Sequence, residues 1–246
     1  MEEQLLVDLF DEDKKHWWHI AKRALVRQFV VGSNLDILVA GVGGGMICKE
    51  LKACGHTVLG IDISSASCEY VSNSFGIEVF NTNLEKPLQF NDESFDIIII
   101  ADVLEHLDND KQLLQESFRC LKPNGRVIIT VPAYQHMWSN WDTRVSHKRR
   151  YLLDTLKGQV LEAGLSIKKA SYFHMLLYPF VYFYRKVFFV SKGKGEEKSD
   201  FSAYSNGALS GFINFYYFLE RELFKIINLP FGLSIFIVGE KNGFKN

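Results

Sequence analysis

Ile37-Leu38-Val39-Ala40-Gly41-Val42-Gly43-Gly44-Gly45 is the stretch on which the reading of this 246-residue chain turns. Four apolar residues make a short strand of the buried type. The glycines that end it run at once into a helical segment, 46–54, stopped by Gly55. Glycine at such a junction turns strand into helix and lets the backbone approach a ligand closely, while the free N–H groups of the helix N-terminus can hold a carboxylate or phosphate. A plain tight turn uses the same residues, so the loop alone is weak evidence. Its position says more. It follows the first strand, and Asp62 ends the second, about 20 residues on, where an acid can accept hydrogen bonds from both ribose hydroxyls of an adenosine-containing ligand. The plainer role for Asp62 is a turn residue ahead of the helix cap Ser64.

Working outward, strand patterns at 57–63, 78–83, 95–101, 126–131, 166–173 and 234–240 alternate with helical patterns at 64–75, 110–121 and 152–163. The four consecutive isoleucines at 97–100 suit a strand covered on both faces. The expected fold is α/β, a doubly wound, mainly parallel sheet whose ligands sit outside the carboxyl ends of its strands. Ahead of it, residues 1–13 carry six acids and no base, which reads as a solvated lead-in. Trp17, Ile20, Ala24, Leu25 and Phe29 then recur at helical spacing over 14–31. The expected parts are an N-terminal helical segment (1–34), the sheet domain (35–173 and 234–246) and an aromatic-rich helical insertion (174–233).

That insertion holds 16 of the chain's 34 aromatic residues, which makes it the chemical outlier. Two helical stretches, 175–191 and 208–228, flank a charged, glycine-bearing linker at 192–200, expected to be mobile. The run 172–190 is almost long enough to span a bilayer, but Pro179, Arg185 and Lys186 interrupt it. An interfacial helix, a wall for a lipid-like substrate, a helical cap and a homodimer surface all fit its Tyr and Phe content. A net charge of −1 argues against broad nucleic-acid binding. Four irregularly spaced cysteines form neither a disulfide framework nor a metal knuckle, and the start has no secretory signal pattern; the expectation is a cytoplasmic protein, peripheral at the membrane at most.

Later segments extend the pattern: Phe95-Asp96-Ile-Ile-Ile-Ile-Ala-Asp102-Val103-Leu-Glu105-His106-Leu107, then Leu121-Lys-Pro-Asn-Gly-Arg-Val-Ile-Ile-Thr-Val-Pro132. Together with residues 37–45 and 58–64 they resemble the class I S-adenosylmethionine-dependent methyltransferases, in the branch similar to the ubiquinone/menaquinone-biosynthesis enzymes. A nicotinamide dinucleotide site would want glycine where Met46 stands. The resemblance implies a Rossmann-like seven-stranded sheet with an antiparallel last strand, S-adenosyl-L-methionine as cofactor and S-adenosyl-L-homocysteine as product. It implies that Gly41, Gly43 and Gly45 back the methionine moiety, that Asp62 holds the ribose and that Ile63 belongs to the same cofactor-binding set. Asn83 and Leu84 would flank the adenine, and Asp102 and Val103 would line the floor under the sulfonium. Two positions depart from the pattern: Val39 and Asn83 stand where the family usually has acids. The lost polar contacts imply cofactor binding weaker by about 1–2 kcal/mol.

For the acceptor side, His106 and His147 are the candidate bases, with no metal expected. Trp141, Arg149, Arg150 and Tyr151 belong to a cluster after the fifth strand. Its His147-x-Arg149-Arg150-Tyr151, with His16-Trp17-Trp18 and Arg23 at the front, looks like a methyltransferase subset found with bacterial glycan biosynthesis. Arg149 and Arg150 would suit bidentate binding of phosphate or carboxylate; a solvated basic loop paired with the acidic N-terminus is the blander alternative. The expectation is therefore methyl transfer, at oxygen, to a small or lipid-linked acceptor. Its rival is a catalytically silent protein of the same fold, docking on a membrane or a glycan-assembly complex.

Overall fold

The computed structural model describes residues 10, 11, 13–188 and 209–243; the linker at 192–200 and most of the acidic lead-in fall outside them. Seven strands form one sheet in the order β3-β2-β1-β4-β5-β7-β6. They are β1 Asp36–Ala40, β2 Thr57–Asp62, β3 Glu78–Asn81, β4 Phe95–Ala101, β5 Leu121–Pro132, β6 Ser166–Phe173 and β7 Ser234–Glu240. β1 pairs in parallel with β2 and β4, and β7 lies antiparallel between β5 and β6. The strand order thus reverses between β1 and β4, which opens a crevice at their carboxyl ends.

Side-chain alternation explains why both faces are covered. Leu38, Ala40, Ile98, Ile100, Val127 and Ile129 pack on one face with Leu113 and Leu114 of α4 (Asp110–Cys120) and Leu156 and Val160 of α6 (Leu153–Glu162). Ile37, Val39, Ile97, Ile99 and Ile128 pack on the other with Leu25 and Val26 of α1 (Trp17–Gln28) and Ile47 and Leu51 of α2 (Met46–Ala53). Residues of a strand that alternate between two apolar layers cannot also face water. The helix α3 (Ser65–Phe75) is capped by Ser64, whose side chain accepts from the Ser67 N–H.

Boundaries moved for identifiable reasons. The front helix starts at Trp17 because the His16 side chain accepts from the Trp18 N–H and caps it there. β3 ends two residues early. β5 begins at Leu121, five residues ahead of the expected start, because Leu121 already pairs with Phe95. The short α5 (Asn140–Arg144) lay in a stretch read as loop; Ser139-x-x-Asp142 is its capping box.

Between β6 and β7 the chain forms α7 (Leu177–Phe188) and α8 (Leu209–Ile226). Phe224 of α8 is fully buried against Phe29 and Phe236, and Tyr178 stacks near Tyr134 and Tyr182. Phe180, Phe183, Phe215 and Phe218 instead face outward. Among the described residues no helix is long and apolar enough to cross a membrane. Phe224→Ala is expected to cost about 3–5 kcal/mol in urea unfolding, whereas Phe180→Ala, at 73% exposure, should stay within about 0.5 kcal/mol.

Candidate active site

Gly41, Gly43 and Gly45 all adopt positive φ, at 79°, 50° and 75°. At two of them side chains press in: a Cβ on Gly41 would sit 2.3 Å from Val103 Cγ2, and one on Gly45 would sit 2.5 Å from Val71 Cγ2. Gly43 differs, since a Cβ there would meet nothing within 4 Å. This open side of the loop adjoins Asp62. One Asp62 oxygen accepts from the Gly43 N–H at 3.1 Å and the other from the Ser64 N–H at 2.8 Å. Burial raises the Asp62 carboxyl, and these backbone donors pull it back toward the ionised form. Ile63, next in line, is 68% exposed. The Asn83 side-chain oxygen accepts from the Glu85 N–H, and Leu84 is buried behind it. An open glycine cradle beside an acid that retains acceptor capacity, with an exposed apolar shelf at Ile63, is a donor and acceptor set that fits an adenosine-bearing ligand.

Val39, where an acid was expected by resemblance, is fully buried in the apolar layer with Leu25 and Val42. A carboxylate arrives from elsewhere. Asp13, which the sequence placed in a solvated lead-in, accepts from the Met46 N–H at 3.3 Å, at the N-terminus of α2. Arg23, itself buried, pairs with Asp13 and Glu50 and fixes that arrangement. Lys22, the residue before Arg23, pairs with Asp102, whose other oxygen accepts from Thr130 Oγ1 at 3.1 Å. The N-terminal segment therefore lies over the mouth of the β1–α2 loop. Trp17 and Trp18 pack elsewhere, on Tyr217 and His174 respectively.

On the far side of Asp102, Asp142 is the node. It is fully buried, and the Arg150 guanidinium donates to both its oxygens, at 2.8 and 2.9 Å. His147 Nδ1 lies 2.8 Å from Asp142 Oδ1. Burial alone would raise the Asp142 carboxyl; the hydrogen bonds from His147 and Arg150 hold it well below the usual carboxylate range. An ionised Asp142 makes Nδ1 the protonated nitrogen of His147 and leaves the lone pair on Nε2. His106 stands edge-on to His147, ring centroids 4.7 Å apart. Burial, then the charge of His147, pushes the His106 imidazole down to about 4.

The structure separates the two arginines read as a pair. Arg150 closes on Asp142, with its side chain 8% exposed. Arg149 instead lines a cavity of about 460 Å³ with Asp110, Gln135, His136 and Thr155. Tyr151 is buried in the wall of the same cavity and donates to Asp110 Oδ2 at 2.7 Å. Trp141 sits on α5, with the Arg144 guanidinium 5.9 Å from its ring. Sequence reasoning passed over Asp13, Lys22, Glu105 and Asp142; for Asp142 the capping-box spacing from Ser139 was the available signal.

A sheet ordered 3-2-1-4-5-7-6, with a glycine loop after its first strand and an acid closing its second, defines the class I methyltransferase fold. Residues 38–129 match the family model described as a methyltransferase domain. Residues 38–129 thus carry a methyltransferase domain, set in a sheet of the class I fold. The chain is similar to the ubiquinone biosynthesis O-methyltransferase of Bartonella tribocorum, 31% identical over 113 residues that make up 44% of each chain. The chain thus spans under half the length of that relative. Among solved structures, an S-adenosylmethionine-dependent methyltransferase from Archaeoglobus fulgidus superposes with a TM-score of 0.62 at 19% identity, covering 98% of this chain and 100% of that one. Phosphoethanolamine N-methyltransferase 2 of Haemonchus contortus, solved with S-adenosyl-L-methionine, gives 0.58 at 15% identity, covering 92% of this chain and 53% of that one. At these identities both likenesses show the fold.

The lowered His106 has a consequence for stability. Between its ordinary value of 6.5 and about 4 the unfolded chain binds a proton that the folded one refuses. The contribution is therefore complete above pH 6.5 and is lost as pH falls toward 4. Urea unfolding across that window should show a loss of up to about 3 kcal/mol, which His106→Gln should reduce.

Proposed function

We propose that this protein transfers a methyl group from S-adenosyl-L-methionine to an oxygen of a small or lipid-linked acceptor, leaving S-adenosyl-L-homocysteine. The observation that carries the reading is the meeting of the open Gly43 cradle, Asp62 and Asp102 at the β1/β4 crevice. When bound, the cofactor supplies an electrophilic methyl on a cationic sulfur. The Gly41, Gly43 and Gly45 backbone would back its methionine moiety, and Asp62 would accept from the ribose. Ile63, Asn83 and Leu84 would flank the adenine, with Asp102 and Val103 beneath the reacting centre. The protein's main contribution to such a displacement is alignment and exclusion of water. Lys22 and Asp13, on the segment that covers the loop, supply the exclusion.

For a hydroxyl acceptor His147 would be the base: its Nδ1 lies against Asp142, which leaves Nε2 to take the proton. His106 packs beside it as an uncharged neighbour. Arg149 and the cavity it lines would receive an anionic or polar part of the acceptor, while Arg150, Tyr151 and Trp141 shape the wall. An oxygen acceptor is supported by the similarity to ubiquinone biosynthesis O-methyltransferases. The outward rings Phe180, Phe183, Phe215 and Phe218 are the face we would set against a lipid-linked acceptor or membrane surface.

Calorimetric titration with S-adenosyl-L-homocysteine tests the reading. Wild type should bind, and Asp62→Ala should bind about tenfold more weakly or worse. His147→Ala should bind as wild type yet turn over a phenolic acceptor about 10²–10⁴-fold more slowly. Absence of binding at millimolar ligand would favour the silent docking protein.

A further inference from the structure

Glu105 sits in the helical turn Leu104–His106 that follows β4, and it is fully buried. Neither of its carboxylate oxygens has a hydrogen-bond partner among the described residues. Buried carboxylates are ordinarily hydrogen-bonded, paired with a charge or bound to a metal, so this one calls for a physical explanation. His147 Nε2 lies 3.9 Å from Glu105 Oε1. His106 completes a triangle: one ligand-type atom from each of Glu105, His106 and His147 falls within 4.8 Å of the other two.

We propose that Glu105, His106 and His147 bind one divalent cation of the zinc class. The argument rests on donor chemistry, orientation and charge. Two imidazole nitrogens and one carboxylate oxygen form a donor set suited to Zn²⁺, Co²⁺ or Ni²⁺. His147 already has the orientation a ligand needs, because the Asp142 carboxylate takes its Nδ1–H and turns the Nε2 lone pair toward Glu105. A carboxylate behind the histidine is the usual outer support of a metal-bound imidazole. Asp142 is itself pinned, by Arg150 and by the Ser139 N–H at 2.8 Å. Asp102 adds negative charge beside Glu105. The nearby cations Lys22, Arg150 and Lys148 are each committed to a carboxylate, Asp102, Asp142 and Asp108 respectively. The three donors need to draw together by only one to two ångströms, a side-chain adjustment on the order of the difference between 4.8 Å and an ordinary ligand–ligand separation. Three protein ligands leave a coordination position open, as in catalytic rather than structural sites.

The site stands independently of methyl transfer. A consequence for the reaction does rest on that reading: with the cation bound, both imidazoles act as ligands, and an acceptor hydroxyl at the open position is made acidic by coordination rather than by the His147 base.

The test uses the whole protein, stripped with a chelator and titrated calorimetrically with Zn²⁺ and with Co²⁺. One equivalent should bind and raise the thermal unfolding midpoint. Glu105→Gln keeps the side-chain shape and removes the charge; it and His147→Ala should each bind about tenfold more weakly or worse, and Asp142→Asn about 10–100-fold more weakly. His56→Ala should bind as wild type. If wild type takes up no equivalent, or Glu105→Gln binds and is stabilised like wild type, Glu105 is a protonated buried acid and the proposal falls. A protein that binds S-adenosyl-L-homocysteine but not zinc loses this site and keeps the methyl-transfer reading; the reverse result does the opposite.

Discussion

Burial of β1 and β4 on both faces is the constraint from which the rest follows. Ile97 to Ile100 and Ile37 to Ala40 send alternate side chains into two apolar layers, and every one of them is nearly or fully excluded from water. A strand closed in this way has nowhere to display polar chemistry except where it ends. Asp62, Asp102 and Glu105 accordingly lie at or just past the ends of β2 and β4, and Asp142 and His147 in the segment after β5. The same constraint explains Val39. In the middle of an apolar layer an acid would have no donor, and the carboxylate near the loop comes instead from Asp13, on a segment that is not part of the sheet.

The polar groups so gathered are arranged as two linked pairs of opposite charge. Lys22 and Asp102 come from the front helix and β4, Arg150 and Asp142 from either side of one short loop. Partner removal at such buried pairs leaves a charge without compensation, which costs far more than a surface pair contributes. The region around Asp102 and Asp142 is thus held by electrostatics, where the loop after β1 is held by backbone geometry at glycines.

What the sequence made legible was whatever depends on local pattern. The isoleucine run, the glycine punctuation and the alternation of periods led to the strands, the helices and a mainly parallel sheet, whereas the antiparallel β7 was implied by the family resemblance. Cap chemistry was legible at Ser64 and could have been read at Ser139. Illegible were contacts made between distant segments. Arg150 looked like half of a ligand fork because nothing in its neighbours reveals that Asp142 folds back onto it. Asp13 looked solvated because its partners, Arg23 and Met46, lie 10 and 33 residues away. Lys22 could not be paired with Asp102, 80 positions on, by any periodicity. Tertiary electrostatics, unlike helix or strand propensity, leaves little trace in local spacing.

The place of β7 has a bearing on how the molecule forms. Among the described residues β6 pairs with β7, and the outer edge of β5 finds its partner there too. During synthesis the first five strands can pair among themselves while β6 has no ladder to join, until the chain has been extended through residue 240. For that interval a nascent sheet edge and a string of aromatic helices are both uncovered. Closure of this sheet is a late event, and the strand that completes it locks β5 and β6 together in one step.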